Sequence, residues 1–226
     1  MLTVTNDWKK AFPGALAGVL SMSGVINPEH HPALEDAKRK LEKELRTKFN
    51  NPAQIKELQQ IKAYTAYYKR FQKTYHVQHQ IDSIAFKGKS IPKVAALVEA
   101  MFIAELKNML LTAGHDRDSI KGRITLDVSK GTETYIRMNG EKQRLKAGDM
   151  MIADEQSVIS NVIYGPDRRT MITPKTRSAL FTVYGAPGIG DPEMRKHLEE
   201  IAACVRLVSP DARVEAFEIH AADLTA

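Results

Sequence analysis

Five consecutive residues near the middle of the chain, Thr112-Ala113-Gly114-His115-Asp116, combine groups that chemistry uses. Gly114 offers an exposed backbone turn, His115 titrates near neutral pH, and Asp116 can orient a water, a hydroxyl or an ammonium group. The same five residues also suit a plain loop in which Asp116 caps a helix. Glu105 stands out for another reason: it falls in register with an apolar helix face formed by Val94, Leu97, Val98, Met101, Phe102, Leu106 and Met109. A carboxylate there requires a partner or a water-filled cavity, because burying it unpaired is costly. His76-x-x-His79 brings two imidazoles close together, but two ligands without a third make a poor site, and neither a metal nor a cofactor is expected. Gly185-Ala-Pro-Gly188-Ile-Gly190 departs from a dinucleotide fingerprint in spacing, and Pro187 would obstruct a phosphate cradle, so it reads as a turn. No Walker A sequence, H-E-x-x-H or nucleophile elbow occurs, and Ser/His/Asp combinations are too easily assembled to be diagnostic.

The elements that must position these groups belong to an ordinary globular chain. With 226 residues there is ample material for a packed core, and a charged fraction of 27% excludes fibrous and disordered classes. The single Cys204 excludes an intramolecular disulfide and a multi-thiolate zinc site, which points to a reducing compartment, the cytoplasm. No stretch reaches the roughly 20 apolar residues of a membrane span. Lys9-Lys10 followed by Ala11 to Val25 imitates a signal peptide only faintly, since Pro13, Gly14, Gly18 and Gly24 dilute the apolar region. The net charge of +6 is uneven: residues 1–75 hold 13 Lys+Arg against 7 Asp+Glu, whereas residues 76–226 hold 20 of each. A basic segment on a neutral body suits a polyanion such as RNA, and equally suits a solvated helix face.

Residues 15–26 read as a buried strand. Pro32 suits a first helical position, and Leu34, Ala37, Leu41 and Leu45 make 32–49 an amphipathic helix. Asn50-Asn51-Pro52 starts a second, where Ile55, Leu58, Ile61, Tyr64, Tyr68 and Phe71 share a face among Lys56, Lys62, Lys69, Arg70 and Lys73. Its aromatics, with Tyr67 and Tyr75, could stack bases between phosphate-binding cations, or form core. Ser90-Ile91-Pro92 opens the third helix, which carries Glu105. Beyond 123 the period becomes that of strands, at 123–128, 134–138, 149–153, 158–164 and 179–183, with a hairpin turn at Asn139-Gly140. A last helix from Asp191-Pro192 to Ser209-Pro210 precedes strand material at 212–219. This order predicts an α+β fold, helices flanking a mostly antiparallel sheet.

The ordered series Leu97 to Asn108, Ala113-Gly114-His115-Asp116, Gly131-Thr-Glu133-Thr-Tyr135, Ala147-Gly148-Asp149 running into Ala153-Asp154, Asp167-Arg168-Arg169-Thr170 and Thr173 to Val183 resembles the B3/B4 editing domain of the phenylalanyl-tRNA synthetase beta subunit. It is most similar to freestanding members of that family. The match covers about 64–190, so one domain over 1–226 is expected, with 1–63 as a basic strand-helix extension packed on that core. The resemblance implies a trans-editing deacylase that hydrolyses a noncognate aminoacyl ester at the 3′ end of tRNA, with tRNA and the noncognate amino acid as partners and the oligomeric state open. It assigns Asp116, His115 and Glu133 to catalysis. Phe102, Glu105, Gly114, Asp154, Arg169 and Thr170 would bind substrate, and Lys56, Lys62, Lys69 and Arg70 would contact tRNA.

Departures from the family pattern shape the substrate. Phe102 and Glu105 stand where the family usually has Asn and Ser, and Val162-Ile163-Tyr164-Gly165 replaces a Trp-Asn-Trp-Arg segment, which argues against tyrosine. Glu105 would suit a cationic side chain, because a carboxylate pairs bidentately with a guanidinium-like group, and some freestanding members are similar in acting on canavanine. A salt bridge from Glu105 to a Lys or Arg of the protein is the competing expectation. A non-catalytic module that binds tRNA or an amino acid on the same fold is the alternative function.

Overall fold

The longest apolar run in the N-terminal part forms the centre of a sheet. The computed structural model describes residues 2–222. Its elements begin with β1 (Leu2–Val4), α1 (Asn6–Ala11), β2 (Leu16–Ser23), α2 (Pro32–Lys48), α3 (Pro52–Lys56), α4 (Gln59–Lys69), α5 (His76–Lys87) and α6 (Ala96–Asn108). Then follow β3 (Thr112–Asp116), a 3-10 turn at Arg117–Ser119, β4 (Ile124–Val128), β5 (Thr134–Ile136), β6 (Lys142–Arg144), β7 (Met150–Ala153), β8 (Val158–Asn161) and β9 (Gly165–Pro166). The chain closes with β10 (Ser178–Gly185), α7 (Asp191–Val208) and β11 (Arg213–Ala221).

A four-stranded antiparallel sheet runs β11-β2-β10-β3, and a five-stranded sheet runs β1-β4-β7-β8-β9, antiparallel except where β1 joins β4. β5 and β6 form a separate hairpin. The molecule is therefore α+β with mostly antiparallel sheets. β1 and β2 thread the first 23 residues into both large sheets, and the boundary near residue 63 falls inside α4. Gly18 on β2 admits α7 at close range: a Cβ there would meet the Met194 sulfur at 2.6 Å.

Several elements differ from the sequence reading for identifiable reasons. The helix expected from Pro52 breaks at Glu57-Leu58, where Leu58 is extended, giving α3 and α4. Asn51 caps α3 through its side-chain oxygen, which accepts from the N–H groups of Ala53 and Gln54 at 3.0 and 3.2 Å. α5 was unexpected, although Val77, Ile81 and Ile84 bury one face of it. α6 begins at Ala96 rather than near Pro92, because distant groups cap it: Asn27 Oδ1 accepts from Leu97 N–H at 2.8 Å, and Pro28 C=O from Ala96 N–H at 2.9 Å. Residues 112–116 are not a loop. They pair antiparallel with β10, Gly114 lying opposite Phe181 in extended backbone rather than in an exposed turn.

The aromatic series on α4 is core, not a base-stacking face. Tyr64, Tyr67, Tyr68, Phe71 and Tyr75 are all buried. Their hydroxyls tie α4 and the chain after it to the sheets: Tyr64 donates to Tyr184 C=O at 2.6 Å, Tyr67 to Asp149 at 2.6 Å and Tyr68 to Val162 C=O at 2.9 Å. Tyr75 donates to Met109 C=O at 3.2 Å. Burial raises all four phenols, so each stays a donor.

Candidate functional site

Between α6, β3 and the end of β8 lies a cavity of about 420 Å³, the size of a small-ligand site. α6 contributes Val98, Met101, Phe102 and Glu105, and β3 contributes Thr112, Ala113 and Gly114. The opposite wall is Asn161 to Pro166 with Met171 and Ile172, while Tyr184 adds the base. Most of this surface is apolar. Its two exposed lining residues, His76 and Met138, mark the rim.

Glu105 is the anomaly in that wall. It is 3% exposed, one oxygen accepts from Thr112 N–H at 2.9 Å, and the other lies 3.9 Å from His76 Nε2. No Lys or Arg among the described residues pairs with it, so the expected protein salt bridge does not form. Burial pushes the carboxyl up to about 8, against the single backbone hydrogen bond that favours ionisation. Local folding explains that bond. Met109 ends α6 in the left-handed region at φ 61°, and this reversal returns Thr112 N–H to the Glu105 side chain. Holding a non-glycine residue there costs about 1 kcal/mol.

Of the candidate residues, Phe102, Glu105 and Gly114 come together on this cavity. The remainder do not line it. His115 is fully buried, with Nδ1 2.8 Å from Thr170 Oγ1. Thr170 gives its own hydrogen to Asp167, so we assign the His115 proton to Nδ1. Burial lowers His115 to about 3, leaving a neutral ring where a titrating one was expected. Arg169 donates to Asp154 at 2.8 Å and to Ser119 C=O at 2.9 Å. Asp154 also accepts from the N–H groups of Lys121, Gln156 and Ser157; burial opposes its ionisation, but these donors and Arg169 hold it below the usual carboxylate range.

Asp116 and Glu133 serve turns. Asp116 accepts from Asp118 N–H at 3.0 Å and from the Thr176 hydroxyl at 2.7 Å. Glu133 accepts from Ser129, Lys130 and Thr132, donors that outweigh burial and keep it ionised. Lys56, Lys62, Lys69 and Arg70 are exposed on α3, on α4 and just past its end, away from the cavity lining. Lys62 pairs with Glu57 at 2.5 Å, and Arg70 lies over the Phe12 and Tyr67 rings at 5.2 and 5.5 Å.

Sequence reasoning missed Met138, Asn161 and Ile172, and noted His76 only beside His79. These residues meet the cavity from separate loops and strands, and no local pattern joins them. Among the described residues no group of three His, Cys, Asp or Glu side chains converges as a metal site, and no helix is long and apolar enough to cross a membrane.

The protein is thus an α+β domain with a mostly apolar cavity and a buried acid in its wall, and its family is recognisable. The family model described as the B3/4 domain matches residues 62–202, well over half of the chain, and the chain belongs to that family. It is similar to the phenylalanine–tRNA ligase beta subunit of Mycoplasma pneumoniae, 30% identical over 106 residues that make up 46% of this chain and 13% of that protein. The Mycoplasma genitalium beta subunit is 32% identical over 69 residues, 30% of this chain and 9% of that one. The match thus spans only a small part of these relatives. A crystal structure of an N-terminal fragment of the phenylalanyl-tRNA synthetase beta subunit from Pyrococcus horikoshii is similar over 97% of this chain and 50% of its own, at 10% identity and a TM-score of 0.49.

Proposed function

We propose that this protein hydrolyses the ester joining a noncognate, cationic amino acid to tRNA, and that Glu105 receives the cationic side chain. The observation that carries this reading is the buried Glu105 carboxyl, facing a mostly apolar cavity without a Lys or Arg partner among the described residues. An entering guanidinium-like group, as in arginine or its mimic canavanine, supplies the missing charge and drives off the proton. Because burial pushes the carboxyl up to about 8, that displacement costs on the order of 1 kcal/mol at pH 7. A neutral side chain gains nothing from the ionised form.

The chemistry needs no protein nucleophile, since an aminoacyl ester is already activated. Thr112 and Tyr184, the buried hydroxyl residues of the lining, are engaged with His197 and Ser160. We assign attack to a water held against the ester, aided by the neighbouring ribose hydroxyl of the tRNA, with positioning as the main source of rate. In this reading His115, Thr170, Arg169 and Asp154 brace β3 and the loops behind the cavity, Asp116 and Glu133 secure turns, and Phe102 and Gly114 set the width.

The test is a deacylation screen on tRNA charged with arginine, canavanine, tyrosine and phenylalanine, with Glu105→Gln alongside. Hydrolysis confined to a cationic ester and lost in the variant supports the proposal. The alternative of a non-catalytic binding module draws on the same engaged hydroxyls, and binding without turnover would establish it instead.

A further inference from the structure

The turn of the β5–β6 hairpin reaches the rim of the cavity through Met138, and the cations around it have no ion-pair partner among the described residues. Met138, in the hairpin turn, lines the cavity and is 50% exposed, and Ile136, at the end of β5, is 44% exposed. Around them stand Arg137, Lys142, Arg144 and Arg168, none in an ion pair among the described residues. Arg168 is fastened here by its backbone, donating N–H to Ile136 C=O at 2.8 Å. The Arg137 guanidinium lies 6.0 Å above the Tyr164 ring, itself part of the cavity wall. The hairpin's own acid, Glu141, is turned to Asn139 at 2.8 Å and neutralises none of them.

We propose that this hairpin face, with Arg168, is the docking surface for the single-stranded 3′ end of the RNA. Cations here would meet phosphates, and Met138 and Ile136 would offer apolar contact to a base. The inference rests on the proposed function: if the amino acid occupies the cavity, the ester ties the terminal nucleotide to its rim. It departs from the charge pattern of the sequence, which favoured α3 and α4. There Lys62 is already paired and Arg70 is stacked on rings remote from the cavity lining, whereas the hairpin reaches the cavity through Met138 and holds Arg137 over Tyr164 of its wall.

The experiment measures binding of an uncharged tRNA-like RNA with a single-stranded 3′ end to the full chain, by fluorescence anisotropy over a salt series. The variants are Arg168→Glu with Lys142→Glu, both exposed, and separately Lys56→Glu, Lys62→Glu, Lys69→Glu and Arg70→Glu together. Met138→Ala provides a variant without a charge change, and thermal melts confirm folding. The hairpin double variant is expected to lose about tenfold or more in affinity, with a salt slope smaller by about two. Binding of a small cation, arginine amide, is expected to stay within about twofold, because the cavity is untouched.

RNA binding unchanged in the double variant, or lost only in the α3–α4 variant, overturns the proposal. So does equal competition by polyglutamate, which would mark an acidic-protein surface. RNA held by the hairpin without hydrolysis of any ester would leave this inference standing and remove the hydrolytic reading.

Discussion

Two buried glutamates on α6 meet opposite fates. Glu99 is 1% exposed and its carboxylate takes the Lys38 ammonium at 2.5 Å and the Val94 N–H at 3.1 Å. Lys38, itself 2% exposed, also reaches Glu35 at 2.6 Å, so α2 and α6 are joined by a compensated cluster. Glu105, under two turns further on, is 3% exposed and has one backbone N–H and a distant imidazole. The first carboxylate is neutralised within the protein through Oε1, although its Oε2 has no hydrogen-bond partner. The second has no cationic Lys or Arg partner in the described protein, and on the proposed reading the contrast separates a structural charge from a recognition charge on a single helix.

The largest effect should come from breaking the completed pair. Lys38→Met strands Glu99 and Glu35, and a loss of about 3–5 kcal/mol in unfolding free energy is expected by denaturant titration. Glu105→Gln should behave oppositely. A carboxyl raised to about 8 binds its proton more tightly folded than unfolded, so its contribution is full below the unfolded value and falls away as pH rises toward 8. The variant should therefore gain stability relative to the parent over that window, and a parallel pair of pH–stability curves would contradict the assignment.

Next in size is recognition. Glu105→Ala should lower kcat/KM on a cationic aminoacyl ester about a hundredfold, as loss of one partner of a buried charge pair does, while changing a neutral ester little. For the parent, affinity for arginine amide should rise about tenfold per pH unit up to about pH 8 and then flatten, read by calorimetry, with no such rise in Glu105→Gln. The smallest effect is steric. A Cβ on Gly114 would stand 3.0 Å from Ile172 and 3.3 Å from Met101, so Gly114→Ala should narrow the cavity and cost a few-fold in KM, with folding disturbed by about 1 kcal/mol or less.

The same contrast explains what the sequence disclosed. Glu105 was legible because a carboxylate amid Leu97, Met101 and Leu106 breaks an apolar helical pattern, and α2 and α7 were legible from sustained periodicity. β3 was not, since Thr-Ala-Gly-His-Asp has the composition of a loop and becomes a strand only by pairing with β10. His115 and Asp116 drew attention by residue type, yet their environments are decided by Thr170, Asp167 and Thr176, more than 50 residues later. The rest of the cavity was hidden for the same reason, as Met138, Tyr164 and Ile172 meet α6 only in the folded chain.

The most direct test of the central claim is single-turnover hydrolysis of tRNA carrying canavanine, with tyrosyl-tRNA as the neutral comparison, by the parent and Glu105→Gln. The account predicts release of the cationic amino acid by the parent, retention of tyrosine, and loss of that preference in the variant. Equal hydrolysis of both esters, or a cationic preference that survives Glu105→Gln, would contradict it.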